Sequence, residues 1–319
     1  MEFIRGLANL RAHHHGNVLT IGNYDGLHRG HQAVMARLRE VATEHGLPAM
    51  VMTFEPHPAE YFARRRTPTR LSSLREKITD VAAQGLDRFL CVRFDRAFAG
   101  LSAQEFASEL VAQRLGARVV LVGEDFRFGH DRRGDVDLLA AIGREHGFAV
   151  VPHPAVEHAG ERVSSTRVRA ALAAGKVDRA NALLGRPYRI GGRVEAGARL
   201  GRTLGVPTIN LRPRRRTAPR FGVYAARVRL VDGRLLDAAA SLGTRPTVAG
   251  TATLLEAHLL DFRGDLYGQR VDVQFHAFLR PEVRFDDVET LSIAMQMDIA
   301  RTRAVLAAIP SLESNNVSR

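Results

Sequence analysis

The stretch from Val18 to Gly46 constrains the fold of this chain more than any other. Val18-Leu19-Thr20-Ile21 reads as a buried strand. The run Gly22-Asn23-Tyr24-Asp25-Gly26-Leu27-His28-Arg29-Gly30-His31 follows, and then Val34, Leu38 and Val41 recur at i, i+4 and i+7 until Gly46 closes the pattern. A strand feeding a helix through a glycine-punctuated loop belongs to a parallel α/β fold. Anions bind at such turns, where free N–H groups point outward and the helix dipole favours negative charge. Gly22, Gly26 and Gly30 carry no side chain, so a phosphate can approach the backbone. The motif predicts a phosphate site with the imidazoles of His28 and His31 as its cation. The bland alternative, two polar histidines in a loop, does not account for strand, glycines, Asp25 and helix arriving in order.

A chain of 319 residues with 45% hydrophobic content can bury a sizeable core, and its length fits two domains. Met1 to Arg11 is too short and too mixed for a signal peptide, and no stretch approaches the roughly 18 apolar residues of a membrane span. Cys91 is the single cysteine, which excludes an intramolecular disulfide and a cysteine-rich metal site. A cytoplasmic protein without a membrane partner is expected. The net charge of +12 points to anionic partners. Nearly all of it is arginine, with lysine only at 77 and 176, so part of the basicity reflects codon composition. Aromatics make up 6% and tryptophan is absent, which speaks against a base-stacking platform and leaves small phosphate esters ahead of nucleic acid. A Walker lysine is excluded as well, because Gly175-Lys176 is followed by Val177.

From residue 17 to about 155, strand-like and helix-like segments alternate, the pattern of a doubly wound parallel sheet. Strands are expected at Ala49–Phe54, Phe89–Phe94, Val119–Val122 and Ala149–Val151, with helices at Leu71–Gln84, Asp135–His146 and Arg167–Ala174. Ser102-Ala103-Gln104-Glu105 is a capping box for a further helix running to about Leu115. The character changes after Leu184. Period-two segments and an Asp232-Gly233 hairpin turn predict a small antiparallel β-barrel or sandwich, closed by a helix from Asp286 to about Ile309. The domains are therefore placed at 1–184 and 185–319. The Asn/Ser-rich tail after Pro310 is expected to be disordered.

Other motifs read two ways on their residues alone. Ser165-Thr166-Arg167-Val168-Arg169 is an ordinary N-cap or a second phosphate grip. The His57 segment, Glu55-Pro56-His57-Pro58, is a rigid turn or a ligand wall. In Gly123-Glu124-Asp125-Phe126-Arg127-Phe128-Gly129, Asp125 and Phe128 belong either to a polar turn over core rings or to a loop that takes a planar aromatic ligand. Gly201 to Asn210 is a glycine-punctuated loop whose spacing alone favours a Pro-Thr turn, although Thr208 and Asn210 offer the neutral oxygens that suit Mg²⁺. Glu256 lies mid-strand as a surface carboxylate or a general base. His13-His14-His15 is a metal tract by composition only and is discounted.

Together these segments resemble the prokaryotic bifunctional riboflavin kinase/FMN adenylyltransferase family, over roughly residues 15 to 308. Gly22 to His31 and Ser165 to Arg169 match the family's nucleotidyltransferase motifs. Gly205 to Asn210, Gly243-Thr244-Arg245-Pro246-Thr247, Glu256 and Leu266-Tyr267-Gly268 match its kinase motifs. Tyr24, Val206 and Ile209 replace the usual Phe, Phe and Ala, and Asp125 stands where some members carry Asn, an awkward charge beside an FMN phosphate.

The resemblance implies adenylylation of FMN to FAD in the first domain and phosphorylation of riboflavin at its ribityl 5′-hydroxyl in the second, with ATP as co-substrate and Mg²⁺ as cofactor. It implies catalytic roles for His28, His31 and Glu256. Nucleotide binding falls to Gly22, Asn23, Asp25, Gly30, Ser165, Thr166, Arg169, Gly201 and Gly205, flavin binding to His57, Asp125 and Phe128, and the metal to Thr208 and Asn210. Small molecules are the expected partners, with no nucleic acid; an oligomer is compatible. The rivals are a single-activity nucleotidyltransferase with a β binding module, and an RNA-binding regulator.

Overall fold

The computed structural model describes residues 1–63, 69–196, 206–213, 216–247 and 250–309. The chain forms two compact units, one of Met1–Pro68 and Ser72–Ser165, the other of Thr69–Leu71 and Thr166–Arg319.

The first unit is built on a six-stranded, wholly parallel sheet of β1 (Glu2–Arg5), β2 (Asn17–Ile21), β3 (Ala49–Glu55), β4 (Arg88–Arg93), β5 (Ala117–Gly123) and β6 (Ala149–His153). Their order is β1-β4-β3-β2-β5-β6. Helices cover both faces, which is why β2 is buried at every position and reads as an unbroken apolar run. On one face Val18, Val51 and Phe89 pack with Met35, Leu38 and Val41 of α1 (Arg29–His45) and Val81 of α3 (Leu74–Ala82). On the other, Leu19, Met52 and Val120 pack against Phe106, Leu110 and Leu139. These come from α5 (Ala103–Glu105), which runs on in wider turns over Phe106–Arg114, and from α6 (Val136–His146). Short helices α2 (Pro58–Phe62) and α4 (Arg96–Ala99) and a hairpin of β7 (Glu157–His158) and β8 (Glu161–Arg162) complete the unit. Winding proceeds from β2 towards β3 on one side and from β5 towards β6 on the other. The switch point of the sheet therefore lies between the carboxyl ends of β2 and β5, where such folds bind ligands.

Local chemistry set several boundaries away from the expected ones. The helix expected from Leu71 starts at Leu74, because Ser73 and Glu76 form a capping box. Strand β1 was not anticipated; only Ile4 of its four residues is buried.

In the second unit, α7 (Ser165–Ala173) and α8 (Val177–Leu184) precede the sheet. Asn181 ties α8 to it, donating from Nδ2 to the Phe275 carbonyl at 2.9 Å and accepting from the Tyr188 N–H at 2.7 Å. Contacts thus place the seam of the units upstream of the compositional change at Leu184. The sheet is antiparallel, in the order β10 (Thr208–Leu211), β13 (Gly250–Leu259), β12 (Leu235–Thr247), β11 (Gly222–Arg229), β14 (Arg270–Pro281), β9 (Tyr188–Arg193). The Glu195 N–H bonds to the Asn210 carbonyl at 2.8 Å and closes the ring into a barrel. Tyr224, Ala226, Val228, Leu255, Ala257, Val273 and Phe275 fill its interior.

Helix α9 (Val288–Ala307) lies on the outer face, burying Asp298, Thr302 and Leu306. Its last turn is held by buried Arg227, which donates to the carbonyls of Leu306 and Ile309 at 3.0 and 3.1 Å and to Asp237 at 3.1 Å. The parallel α/β domain, the antiparallel barrel and the terminal helix are thus as the sequence predicts. Thr208–Leu211, however, is a strand and not the Pro-Thr turn its spacing favours, because Asn210 and Leu211 pair with Glu256 and Leu255.

Candidate active sites

The first site is a cavity of about 550 Å³ at the switch point, lined among others by Gly22, His28, Gly30, His31, Asp125 and Arg162. His28 is the N-cap of α1, its Nδ1 accepting the His31 N–H at 3.4 Å. With Nδ1 turned to the helix, Nε2 is the ring nitrogen left for the cavity. The two imidazoles stack at 3.6 Å and 17°. Tyr24 meets His31 edge-on at 5.1 Å, and its hydroxyl donates to Thr20 Oγ1 at 2.7 Å, which donates in turn to the Leu121 carbonyl at 2.7 Å. Burial, the neighbouring His28 and the positive Lys77, in that order, hold His31 well below the usual imidazole value of 6.5. The expectation of an imidazole cation is corrected here: in the free site His31 is neutral, because its surroundings remove water and already carry positive charge.

The loop glycines answer to the rings beside them. A Cβ at Gly22 would sit 2.9 Å from Tyr24 Cζ, and one at Gly30 would sit 3.2 Å from the His28 ring. Asp25, at 3% exposure, turns away from the cavity and accepts from Ser72 N and Oγ at 3.0 and 3.2 Å. Ser165 Oγ donates to the Asp25 carbonyl at 2.9 Å, so both residues shape the loop. Thr166 and Arg169 belong to the second unit, where Arg169 Nε donates to the Thr69 carbonyl at 2.7 Å.

A second cavity of about 680 Å³ in the same unit shares Ile21, Gly22, Asp125, Phe126 and Arg127 with the first. Asn23 and His57 line this one, and His57 also caps α2 by accepting the Ala59 N–H at 3.1 Å. Phe54, Phe62, Phe94, Phe98, Phe106, Phe126 and Phe128, seven of the chain's 15 phenylalanines, form its wall, so nearly half of that residue type is gathered on one apolar slot. Phe126 and Phe128 are nearly parallel at 5.5 Å and 18°. The alternatives for this loop merge, since Phe128 is both a core ring and a wall of the cavity. Asp125, on the shared rim, is ion-paired to Arg162, which offsets the awkward charge the sequence raised.

In the barrel unit, a cavity of about 300 Å³ lies between the outer face of the sheet and α9. The register aligns Asn210, Glu256 and Ser241 in one row and Thr208, His258 and Ala239 in the next, so the oxygens expected to matter share a face. Leu255, Ala257 and Leu259 point into the core, which leaves Glu256 on the cavity side. Asn210 Oδ1 is buried without a hydrogen-bond partner. His258 Nδ1 donates to the Pro207 carbonyl at 2.8 Å. Arg280 grips buried Asp298 through Nε and Nη2 at 3.0 and 2.7 Å and lies 5.5 Å over the Phe285 ring. Gly201 and Gly205 lie outside the described residues.

Sequence reasoning missed Lys77, Arg162 and the phenylalanine wall. The only signal for Lys77 is its rarity, and the wall is assembled from separate loops with no common spacing. The histidine tract does meet Glu2, with His13, His14 and Glu2 close enough to share an ion. His14 Nδ1, however, accepts the Arg11 N–H at 2.9 Å, so its Nε2 bears the proton and donates to Glu2 Oε1 at 2.8 Å. A metal would need that nitrogen's lone pair.

Known proteins agree with both halves. The FAD synthetase family model matches residues 10–167 and the riboflavin kinase model residues 184–306. A bifunctional riboflavin kinase/FMN adenylyltransferase of Pseudomonas fluorescens is 49% identical over 308 residues, covering 96% of this chain and 98% of its own length. That of Escherichia coli K12 is 47% identical over 299 residues, covering 93% and 96%.

The chain belongs to the bifunctional riboflavin kinase/FMN adenylyltransferase family.

Both catalytic modules of this family are present, as the motifs predict. A solved protein described as a macrolide-efflux protein from Streptococcus pneumoniae has the same fold, with a TM-score of 0.83 and 29% identity over 95% of this chain and 99% of that one. Among the described residues, no helix is long and apolar enough to cross a membrane.

Proposed function

We propose that residues 1–184 transfer the adenylyl group of ATP to FMN, and that residues 185–319 make that FMN from riboflavin and ATP. In the first reaction an FMN phosphate oxygen bonds to the α-phosphorus, the bond to the bridging oxygen breaks, and pyrophosphate leaves. No covalent intermediate is needed, so positioning and charge stabilisation dominate. His28 and His31 act as hydrogen-bond donors to the phosphates. Asn23, Asp25 and Ser165 shape the loop. The phenylalanine slot with His57 takes the flavin ring. The observation that carries this reading is the shared rim of the two cavities, Gly22 with Asp125 to Arg127, which joins the apolar slot to the glycine loop.

In the second reaction Glu256 accepts the proton of the ribityl 5′-hydroxyl as that oxygen bonds to the γ-phosphorus and ADP leaves. Thr208 and Asn210 fit a hard cation: both offer neutral oxygens on one face, and Asn210 Oδ1 is buried and unsatisfied. Mg²⁺ held there would neutralise charge on the ATP phosphates. The same reading puts the protein in the cytoplasm, working on small molecules without a nucleic-acid partner. Incubation with riboflavin, ATP and Mg²⁺, followed by chromatography, should show FMN and then FAD. FAD from supplied FMN, without FMN from riboflavin, would reduce the barrel to a binding module, and the absence of both products would sink the proposal.

A further inference from the structure

Lysine is nearly absent from this chain. Of 46 basic residues only Lys77 and Lys176 are not arginine, so a lysine in the interior stands against a strong compositional bias. Lys77 is such a residue, on α3 at 4% exposure. Its Nζ donates to the Asn23 carbonyl at 2.6 Å and to Thr53 Oγ1 at 3.3 Å. Thr53 closes the triangle, its hydroxyl donating to the same Asn23 carbonyl at 3.3 Å. The ammonium thus sits behind the phosphate loop, tied to its second residue and to the end of β3. A guanidinium would bring a rigid planar fork to a place where the Asn23 carbonyl and Thr53 hydroxyl meet a compact ammonium.

The neutral state of buried His31 gives this placement its meaning. A loop that receives a triphosphate without a Walker lysine, and whose His31 stays uncharged in the free protein, still needs a fixed positive charge. We propose that Lys77 is a positioning residue of the adenylyl-transfer site: from behind the loop its buried ammonium fixes the Asn23 carbonyl and supplies a standing positive charge there. This rests on the adenylyl-transfer reading of the cavity. Lys77 acts through the loop and through its field, and its charge is part of what keeps His31 neutral before ATP arrives.

Two variants separate charge from tether. Lys77→Gln retains a donor for the Asn23 carbonyl without the charge, and Lys77→Met removes both. Both should lower kcat for FAD formation from FMN by about 10²-fold, the scale on which a displaced or unsupported phosphate loop acts, with a smaller rise in KM for ATP. Riboflavin phosphorylation by the same preparations should be unchanged, reporting that the chain is folded. A Lys77→Gln enzyme with wild-type kcat would overturn the proposal, as would a loss confined to KM. Should neither variant fold, the wild-type protein still decides. Labelled with ¹⁵N-lysine it carries only two side-chain amine signals, and that of Lys77 should be a charged ammonium at neutral pH that shifts when inorganic pyrophosphate is added. A neutral amine, or a signal indifferent to pyrophosphate, rejects the inference. If the wild-type protein makes no FAD from FMN at all, the reading of the cavity fails and the role of Lys77 falls with it. A fully active Lys77→Gln enzyme rejects the role of Lys77 alone.

Discussion

The two units carry their candidate phosphate sites on opposite architectures. In the parallel sheet the site is a loop at a strand end, where backbone, helix N-terminus and two stacked imidazoles face the cavity. In the barrel the site is a patch of sheet, where alternate residues of adjacent strands, Thr208, Asn210, Glu256 and His258, bring oxygens and a ring to one face. The first arrangement supplies donors, and so suits a reaction whose nucleophile is already an anion. The second supplies acceptors and a carboxylate, and so suits an alcohol that must lose a proton and a cation that must be held. Each fold offers the kind of group its reaction lacks.

The sharpest way to break that contrast is Glu256→Gln. It should abolish FMN formation by about 10³-fold, the range of general-base catalysis, while FMN is still converted to FAD. Parallel loss of both activities, measured by separate assays on each substrate, would point to a folding defect. His28→Ala should do the reverse, lowering FAD formation by about 10²–10³-fold and sparing the kinase. It should also cost about 1 kcal/mol in thermal unfolding, because the imidazole caps α1. Near-normal FAD formation in that variant would remove His28 from the mechanism.

A third test uses what the units share. Each holds a histidine pushed below the usual 6.5, His31 as described and His276 to about 4, by burial first and then by Arg227. The unfolded chain takes up protons near pH 6.5 that the folded chain refuses. Stability is therefore flat above that pH and declines as pH falls below it, until the folded values are reached. Urea midpoints at about pH 7.5 and pH 5 should show the decline. His276→Gln should remove about 1 kcal/mol of it, discounted for the partial exposure of that ring. Equal midpoints in the wild-type protein would contradict both assignments. The smallest effect is expected for Asp125→Asn. Its ion pair with Arg162 is solvent-exposed, so stability should move by less than about 1 kcal/mol and KM for ATP by no more than about threefold. A large change in either would mean that the pair does more than neutralise the rim.

The fold was legible wherever burial is two-sided or strictly alternating. The unbroken apolar run of β2 and the alternation of β11 needed no partner to be recognised. Strand β1 buries only Ile4 and β10 follows a proline, so neither has a pattern that distinguishes it from a turn. The motifs name candidate residues for both sites but not their charge states. Whether His31 carries a proton depends on His28 stacked at 3.6 Å, on Tyr24 and on Lys77, forty-six positions away in the chain, and no local spacing encodes that neighbourhood. Asp125 shows the same limit, since its carboxylate is answered by Arg162 on a hairpin the sequence did not reveal.

The scarcity of lysine has a consequence for handling the molecule. With Lys77 sealed inside, exposed Lys176 is the one side chain that presents a primary amine to solvent. Amine-reactive dyes, acetyl donors and coupling resins therefore meet a surface with a single side-chain handle, besides the amino terminus. A preparation attached in this way is held in a nearly uniform orientation, despite a surface crowded with cations.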